Sequence, residues 1–302
     1  MTRYPSPRAL LEKYDLQAKK SWGQNFLGDQ EILDEIAELA LPEPGERVVE
    51  LGAGLGHLTA RLLLRGARVI AVERDRDMAR VLRGELGERI QLLEADAVSL
   101  DYRALASAPT PALSEGPPQR ARVEGPTPAP TPTPTSTPKI AVVGNLPYHL
   151  TSPILFSLLD QAEVVSRAVF LLQREVAERL AAHPGTKAWG LLSVLLQHRA
   201  EVRVARRVPA GAFLPPPKVE SAVLVAELHA PRAPVKDEVR FRRLVKAGFG
   251  QRRKTLANAL RAARLAPDEP LRAALAAAGI DPGRRGETLS VEEWAALERA
   301  LD

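Results

Sequence analysis

The chain contains 302 residues, enough for one large domain and a smaller one, and its lack of cysteine excludes disulfides, thiolate catalysis and cysteine-ligated metals. The five histidines show no metal-ligand spacing, no apolar run is long enough to span a membrane, and the first 20 residues lack a signal-peptide pattern, so we expect a cytoplasmic protein without a metal site. A net charge of +5 and a pI near 9.6 favour a polyanionic partner, although arginines can also simply be solvated.

The first half of the chain alternates helical and strand patterns. A polar segment with aromatic residues over 19–29 has no period and predicts a loop, followed by a helix over 31–40 that Asp29 caps. Strands are then predicted at 47–51, 68–72 and 90–93, with helices at 57–64 and 78–86. This alternation is typical of an α/β fold with a parallel, doubly wound sheet, which binds its ligand at the carboxyl ends of the strands.

An insertion rich in proline and threonine interrupts this pattern. Ten prolines and repeated Thr-Pro pairs lie between residues 108 and 138, and such a composition cannot build a packed element. We therefore interpret 104–138 as a flexible surface insertion, which leaves open how crowded the rim of any nearby site is. The next predicted strand, 139–143, follows it directly.

The second half is predicted to complete the sheet and then become purely helical. Helices at 152–160, 174–182 and 189–198 and strands at 168–172, 201–208 and 221–228 are followed by helices at 238–249, 252–264, 270–278 and 291–301. We predict a domain over 1–232 and a helical domain over 233–302. Residues 240–254 contain seven basic and no acidic side chains, which favours RNA binding.

The strand at 139–143 runs into an amide, a proline and an aromatic residue. Asn145 offers a side-chain oxygen, and the carbonyl of Leu146 is left free to accept because Pro147 imposes an extended conformation on Leu146 and cannot donate. Tyr148 offers a ring on which an extruded base can stack. This combination indicates methylation of the amino group of a flipped-out adenine, although a simple Pro-Tyr turn would be the ordinary interpretation of the motif alone.

Carboxylates at strand ends suggest what binds beside this motif. Glu50 precedes the glycine turn at 52–56 and favours a cationic ligand over a pyrophosphate. Glu73 is placed for ribose hydroxyls and Asp96 for an adenine amino group, so the three acids together outline S-adenosylmethionine. Each acid alone has an ordinary explanation as a helix cap. A nicotinamide dehydrogenase is the alternative enzyme class, but the fourth strand supplies an amide and an aromatic residue instead of an acid or base.

Six segments in this order resemble the ribosomal RNA adenine dimethylases, and within them the small-subunit rRNA dimethyladenosine transferases. They are residues 20–27, 49–56, 72–75, 94–96, 144–148 and 213–219, and the resemblance covers almost the whole chain outside the insertion. It implies a Rossmann-like class I methyltransferase sheet, a small C-terminal all-α domain and S-adenosylmethionine as cofactor. Trp22 departs from the smaller or different apolar residue usual in the family.

The resemblance also implies roles for individual residues. The cofactor site would comprise Asn25, Leu27, Gly52, Glu73, Asp96 and Asn145. Asn145 and Leu146 would accept the amine hydrogens, while Tyr148 and Phe213 would enclose the adenine from both sides. For Phe213 the alternative is a hydrophobic plug beside the proline loop at 213–218.

The implied reaction is dimethylation of two adjacent adenosines in the hairpin near the 3′ end of 16S rRNA, in an immature 30S subunit, by a monomer. The RNA backbone would contact the basic residues Arg206, Arg207, Lys218, Arg252, Arg253 and Lys254. Two alternatives stay open from the sequence: a large-subunit rRNA methyltransferase of the macrolide-resistance type, and a ribosome-assembly binding factor whose catalysis is secondary.

Overall fold

The computed structural model of the protein describes residues 4–19, 22–41, 43–108, 139–251 and 253–301. The strands are β1 (Phe26–Leu27), β2 (Arg47–Leu51), β3 (Arg68–Val72), β4 (Gln91–Leu93), β5 (Ile140–Asn145), β6 (Val165–Gln173), β7 (Ala200–Val208), β8 (Phe213–Leu214) and β9 (Ser221–Leu228). The helices are α1 (Pro7–Lys13), α2 (Gln30–Ala40), α3 (His57–Leu64), α4 (Arg76–Glu85), α5 (Tyr102–Ser107), α6 (Thr151–Leu159), α7 (Arg174–Leu180), α8 (Leu191–Arg199), α9 (Glu238–Gly250), α10 (Leu256–Ala262), α11 (Asp268–Ala277) and α12 (Val291–Ala300).

Seven strands form the central sheet in the order β4-β3-β2-β5-β6-β9-β7. The five strands from β4 to β6 are parallel, as the alternation of helices and strands predicts. The last strand, β9, runs antiparallel to both β6 and β7, so the complete sheet is mixed. The connection from β7 to β9 contains no α-helix that could carry the chain back across the sheet, and a parallel pair needs such a crossover.

Most predicted elements between 30 and 301 agree with the structure to within a few residues, and the N-cap of α2 is Asp29, whose carboxylate accepts from the Ile32 amide at 3.1 Å. The structure also contains elements that the sequence analysis missed. Helix α1 lies in the polar N-terminal segment, and the predicted loops at 19–29 and 213–218 each contain a two-residue strand, β1 and β8, which pair with each other. Among the described residues, no helix has the length and apolar character needed to cross a membrane.

The predicted start of the insertion at residue 104 is wrong, because α5 continues to Ser107. Asp101 caps this helix, and the Arg47 guanidinium donates to the carbonyls of Leu105, Ala106 and Ala108 at 2.6–2.8 Å. The rest of the predicted insertion, 109–138, lies outside the described residues. The chain resumes at Lys139 and enters β5 at its amino end, roughly 17 Å of strand from Asn145. Both attachments of the insertion therefore lie at a distance from the carboxyl edge of the sheet.

Helices α9–α12 share one hydrophobic core with α8 and the sheet. The Phe241 and His198 rings lie 4.6 Å apart, and the Trp189 indole donates to the Leu289 carbonyl at 3.0 Å. Arg240 of α9 pairs with the buried Glu298 of α12 at 2.7 Å. The helices thus pack against the rest of the protein as well as on each other, and the division into two domains at residue 232 stays a prediction.

Gly248 in α9 provides a test of this packing. A Cβ at this position would overlap the ring of Trp294. Where no such overlap occurs, replacing a glycine inside a helix with alanine stabilises the protein by about 1 kcal/mol. We expect Gly248→Ala to lower the free energy of unfolding by about 1–3 kcal/mol, as overpacking does. Chemical denaturation would measure it.

Gly250, the last residue of the same helix, is the matched control because a Cβ there meets nothing within 4 Å. We expect Gly250→Ala to leave stability within a few tenths of a kcal/mol of the wild type or above it. Equal effects of the two substitutions would contradict the packing argument.

Candidate active site

A cavity of about 410 Å³ opens at the carboxyl edge of the sheet. Its walls come from the ends of β2, β3, β4 and β5 and from the N-terminal segment 22–27. It brings together eight of the residues singled out from the sequence: Asn25, Leu27, Gly52, Glu73, Asp96, Asn145, Leu146 and Tyr148. The polar groups predicted for a cofactor and for an acceptor amine therefore line one cavity.

The glycine turn forms the floor of the cavity. Gly52, Gly54 and Gly56 all adopt φ values between +55° and +81°, which other residues rarely adopt. The carboxylate of Glu73 fixes this turn by accepting from the Gly54 amide at 2.8 Å, while its other oxygen accepts from the Asp75 amide at 2.8 Å. Each oxygen keeps lone pairs for further donors, such as the hydroxyls of a ribose.

Buried carboxylates give the cavity a cation-binding character. Glu50 accepts from the Thr59 hydroxyl at 2.6 Å, but burial raises the pKa of its carboxyl to about 8. Burial also raises the pKa of Glu73, against the hydrogen bonds from the backbone amides. Asp96 at the end of β4 is more exposed, with one oxygen on the Val98 amide and the other 3.0 Å from Arg74. This donor set suits a ligand that carries a positive charge, a ribose and an amino group.

Asn145, the last residue of β5, is held in the cavity by the N-terminal segment. Its side-chain nitrogen donates to the backbone carbonyl of Asn25 at 2.8 Å, which turns its oxygen away from that bond. The side chain of Asn25 itself donates to the Gly23 carbonyl at 3.0 Å. Asn145 therefore presents an acceptor whose orientation is set by a backbone group.

The two residues after Asn145 are also positioned by strong constraints. The Leu146 amide donates to the Leu171 carbonyl at 3.2 Å, and no described residue donates to the Leu146 carbonyl. Gly144 lets β5 approach β2, because a Cβ there would lie 2.5 Å from the Leu51 carbonyl oxygen. The Tyr148 hydroxyl lies 2.9 Å from the Ser221 hydroxyl at the start of β9, which holds the hydroxyl end of the ring beside that strand.

The N-terminal segment reaches three other parts of the site. Lys19 pairs with Asp75 at 2.7 Å, and the Gln24 amide donates to the same carboxylate at 2.7 Å. Phe26 and Leu27 then pair as β1 with Leu214 and Phe213 of β8. The segment thus ties the start of α4, the end of β5 and the loop before β9 together.

Phe213 does not line the cavity. It is only 5% exposed and packs in the hydrophobic core that also contains Leu27 and Val223, whereas Tyr148 lines the cavity. This arrangement corresponds to the hydrophobic plug that the sequence left as the alternative.

The predicted RNA-binding residues are placed differently from one another. Arg206 pairs with Glu31 and Glu35 of α2 at 2.8 and 2.6 Å, and Arg207 contacts Glu178 at 3.2 Å with most of its side chain exposed. Lys218, Arg253 and Lys254 are exposed and have no ion-pair partner among the described residues. Arg252 lies outside the described residues.

Two side chains near the site, Thr59 and Ser221, were not assigned from the sequence. Glu50 was predicted only as one of three acids near the cofactor, and the structure places it in the cavity wall, bonded to Thr59. Thr59 follows Glu50 by nine residues, and Ser221 follows Tyr148 by 73, so neither contact has a local sequence signal.

The doubly wound sheet, the glycine turn and the carboxylates at the strand ends define a Rossmann-like class I methyltransferase. The ribosomal RNA adenine dimethylase family model matches residues 15–302. The chain is 68% identical over 299 residues to the ribosomal RNA small subunit methyltransferase A of Anaeromyxobacter dehalogenans strain 2CP-C, covering 99% of each chain. It is 49% identical to the protein of that name from Myxococcus xanthus strain DK1622, covering 98% of this chain and 95% of the relative.

Solved structures agree with this assignment. The crystal structure of the 23S rRNA methyltransferase ErmE superposes with a TM-score of 0.64 at 27% identity, covering 92% of this chain and 100% of ErmE. A dimethyladenosine transferase from Plasmodium falciparum shares the fold, with a TM-score of 0.65 at 21% identity and coverages of 90% and 95%. The chain belongs to the ribosomal RNA adenine dimethylase family. It is thus an rRNA adenine dimethyltransferase that uses S-adenosylmethionine.

The contact between Tyr148 and Ser221 leads to the first prediction about activity. Ser221→Ala and Tyr148→Phe each remove this hydrogen bond and leave the ring of residue 148 less constrained. We expect each variant to lower kcat/KM about 3- to 10-fold, the range of one neutral hydrogen bond, and the double variant to be no worse than either single one. Methyl-transfer kinetics would measure this.

Ser166 provides the matched control, because its hydroxyl donates to a backbone carbonyl, that of Ile140, at the opposite edge of the sheet. Ser166→Ala should leave kcat/KM unchanged. If the effects of Ser221→Ala and Tyr148→Phe simply added in the double variant, the two side chains would not act as a unit.

The raised pKa of Glu50 predicts how cofactor affinity varies with pH. With a pKa of about 8, Glu50 is mostly neutral at pH 7 in the free protein, and a bound cation favours its ionised form. We expect binding to release a proton, so that affinity rises by at most about tenfold per pH unit between pH 6 and 8 and levels off above. Isothermal titration calorimetry in buffers of different ionisation enthalpy would count the proton.

The matched variant is Glu50→Gln, which keeps an acceptor for Thr59 but cannot ionise. The amino group of the cofactor titrates in the same way with both proteins. The difference between the two pH profiles of cofactor affinity therefore reports on Glu50 alone. The free wild type should also lose stability as pH rises from about 4.5, the usual value for the unfolded chain, through about 8. The variant should lose less stability than the wild type, because only Glu73, whose pKa is also raised, still contributes. Identical pH profiles for the two proteins would contradict the role of Glu50.

Proposed function

We propose that the protein dimethylates the amino groups of two adjacent adenosines in the 3′-end hairpin of 16S rRNA, in an immature 30S subunit. The arrangement of Asn145, Leu146 and Tyr148 at one end of the cavity is the observation that carries this proposal. We also propose that it works as a monomer in the cytoplasm and without a metal. A cytoplasmic location is supported by the proposed substrate and cofactor, which are both polar and soluble.

The cavity residues divide into a cofactor end and an acceptor end. Asn25, Leu27, Gly52, Glu73, Asp96 and Asn145 would hold S-adenosylmethionine, with Glu73 on the ribose and Asp96 on the adenine. When bound, the cofactor supplies an electrophilic methyl group. Glu50 adds a negative charge that compensates the positive charge of this ligand in a buried setting.

The acceptor end would orient the target amine. The Asn145 side-chain oxygen and the Leu146 carbonyl would each accept one amine hydrogen, which withdraws the nitrogen lone pair from the ring and directs it toward the methyl donor. Because Asn25 already binds the Asn145 nitrogen, the oxygen of Asn145 is pre-oriented before the base enters. Such positioning accounts for the rate enhancement without a strong base.

The proton balance needs no dedicated base. Forming the new N–C bond makes the amine nitrogen cationic and acidic, so its proton leaves to solvent after transfer. In the second round the monomethylated amine has one hydrogen left and one of the two acceptors is unused. His149 is exposed at the rim and is not required as a base in this scheme.

Tyr148 would stack on one face of the adenine. We assign the second face to Phe213, whose buried ring would have to rotate out of the core when the base enters. Pairing of β8 with β1 keeps the Phe213 backbone in place, so this change would be confined to the side chain.

The RNA backbone would contact exposed cations at the same edge of the sheet. Lys218 lies three residues before Ser221, and Arg207 pairs in register with Ala222, so both are close to Tyr148. Helix α9 begins beside the end of α8, where Glu238 contacts Arg199 at 3.5 Å. Its last turn lies against Gly286, next to the connection between α7 and α8.

This direction of α9 supports one RNA-binding surface that joins the cations after α9 to those near β7 and β9. The helix runs back along α8, away from the amino edge of the sheet, and Arg253 and Lys254 follow its end. We assign these two residues, Lys218, Arg207 and the neighbouring Arg252 to phosphate contacts. Arg206 would contribute only if RNA displaced Glu31 and Glu35, so it is the weakest member of the set.

Similarity favours a small-subunit substrate over a large-subunit one. The two small-subunit methyltransferases named above are 68% and 49% identical to this chain, whereas the 23S enzyme ErmE is 27% identical. The cofactor and acceptor groups are also all present, which an assembly factor without catalysis would not need.

The decisive experiment is transfer of radiolabelled methyl groups to immature 30S subunits and to naked large-subunit rRNA, followed by mapping of the modified base. We expect label as dimethyladenosine in 16S rRNA and a loss of at least about 100-fold with Asn145→Ala, the scale seen when an oriented acceptor or donor is removed. His149→Ala is the control and should retain most of the activity.

Other outcomes have distinct meanings. Label found only in large-subunit rRNA would move the protein to the other branch of the family. Absence of label together with intact binding of immature subunits would support the assembly-factor alternative. A drop with His149→Ala as large as that with Asn145→Ala would show that the reaction does require a base.

A further inference from the structure

Trp22 stands out among the tryptophans of the protein. Its side chain is 42% exposed, whereas Trp189 and Trp294 are fully buried. It lies at the rim of the cavity in the N-terminal segment, next to residues that contact the catalytic strand. The exposed face of this indole at the mouth of the cavity is therefore available to a ligand that fills the cavity.

Two cations hold the indole ring in place. The Lys19 ammonium lies 5.4 Å and the Arg74 guanidinium 5.6 Å from the centre of the ring. Both cations are themselves fixed by carboxylates. Lys19 pairs with Asp75 and Asp77 at 2.7 Å each, and Arg74 pairs with Asp96 at 3.0 Å. The position of the ring is therefore coupled to the ends of β3 and β4.

This position is at the adenosine end of the cavity. Trp22 and Arg74 line the cavity together with Asp96, the residue assigned to the adenine amino group. In the sheet, β4 and β3 are separated from β5 and Asn145 by β2. The ligand group nearest to the indole is therefore the adenine of the cofactor, and the target base lies at the other end.

An aromatic side chain between two cations is also typical of surfaces on which RNA bases stack. The local charge argues against that role here. Lys19 and Arg74 face the carboxylates of Asp75, Asp77 and Asp96, so acidic groups outnumber basic ones around Trp22. This surplus of negative charge repels phosphates, whereas the adenosine of the cofactor is neutral and is not repelled.

We propose that Trp22 is a positioning residue for the cofactor, covering the adenosine end of the cavity, and that Arg74 links its ring to Asp96. This inference rests on the assignment of the cavity to S-adenosylmethionine. Stacking of the indole on the adenine would slow release of the cofactor and would exclude water from the Asp96 contact. The free protein presents the ring already in place, because Lys19 and Arg74 hold it.

Intrinsic fluorescence offers a direct readout, because Trp22 is the only one of the three tryptophans that is exposed. Titration of the wild type with S-adenosylhomocysteine should change the emission, and the change should vanish in Trp22→Phe while calorimetry still detects binding. Trp22→Ala should weaken binding at least fivefold, and Trp22→Phe less than threefold because a ring remains. Circular dichroism melting would verify that both variants are folded.

Arg74→Gln tests the link to Asp96, and Arg76→Gln is its matched control, since Arg76 is equally exposed, two residues away and without an ion-pair partner among the described residues. We expect Arg74→Gln to bind S-adenosylhomocysteine more weakly than the wild type. The control, Arg76→Gln, should bind it with unchanged affinity. Binding of immature 30S subunits without cofactor should stay within twofold of the wild type for all four variants.

The outcomes separate this inference from the proposed function. If the wild type does not bind S-adenosylhomocysteine, the assignment of the cavity itself fails. If the wild type binds and Trp22→Ala stays within twofold of it, the role of Trp22 is wrong. If Trp22→Ala instead weakens subunit binding with cofactor affinity unchanged, the indole belongs to the RNA-binding surface.

Discussion

The hydrogen bond from the Asn145 side chain to the Asn25 carbonyl is the contact on which the site depends. An asparagine amide has a donor and an acceptor of nearly equal size, and either can face a ligand. A backbone carbonyl accepts only, so it decides which of the two points into the cavity. The same N-terminal segment is anchored on Asp75 and pairs with β8. The orientation of the Asn145 side chain is thus set by a segment 120 residues earlier in the chain.

The protein places opposite charges on either side of one edge of the sheet. Glu50 and Glu73 are buried inside the cavity, where their ionised forms are unfavourable without a cation. Lys218 and Arg207 lie outside it, on the strands and loops after β6, where a polyanion can reach them. The order of strands keeps the two regions apart, since the carboxylates follow β2 to β4 and the cations border β7 and β9. A cationic cofactor and an anionic substrate can therefore meet at Asn145 without competing for the same groups.

Local patterns predicted most of the fold, and contacts between distant residues account for what they missed. Strands β2 and β3 and helix α3 were predicted at their observed bounds, because buried parallel strands are continuous apolar runs between glycine turns. A pair of two-residue strands such as β1 and β8 has no periodicity of its own. Likewise, the motif around Phe213 indicates a special loop but not that its ring points into the core, and the charge of Arg206 does not reveal its pairing with Glu31 and Glu35. Gly52, Glu73 and Asp96 line the cavity, and local patterns could point to them because they follow β2, β3 and β4 within three residues.

The attachment of the proline-rich insertion has a consequence for how this enzyme can vary. Its two ends emerge at Ala108, which Arg47 fastens, and at Lys139, where β5 begins. In a parallel sheet all strand beginnings lie on one side and all strand ends on the other. Sequence added at the beginning of β5 leaves the end of that strand where it was. The pairing of β5 with β6 shifts register once, between Ile140 and Ala141 at the start of the strand, and is continuous with both β2 and β6 from Ala141 onward. That side of the molecule is the natural place to attach a label or a fused domain.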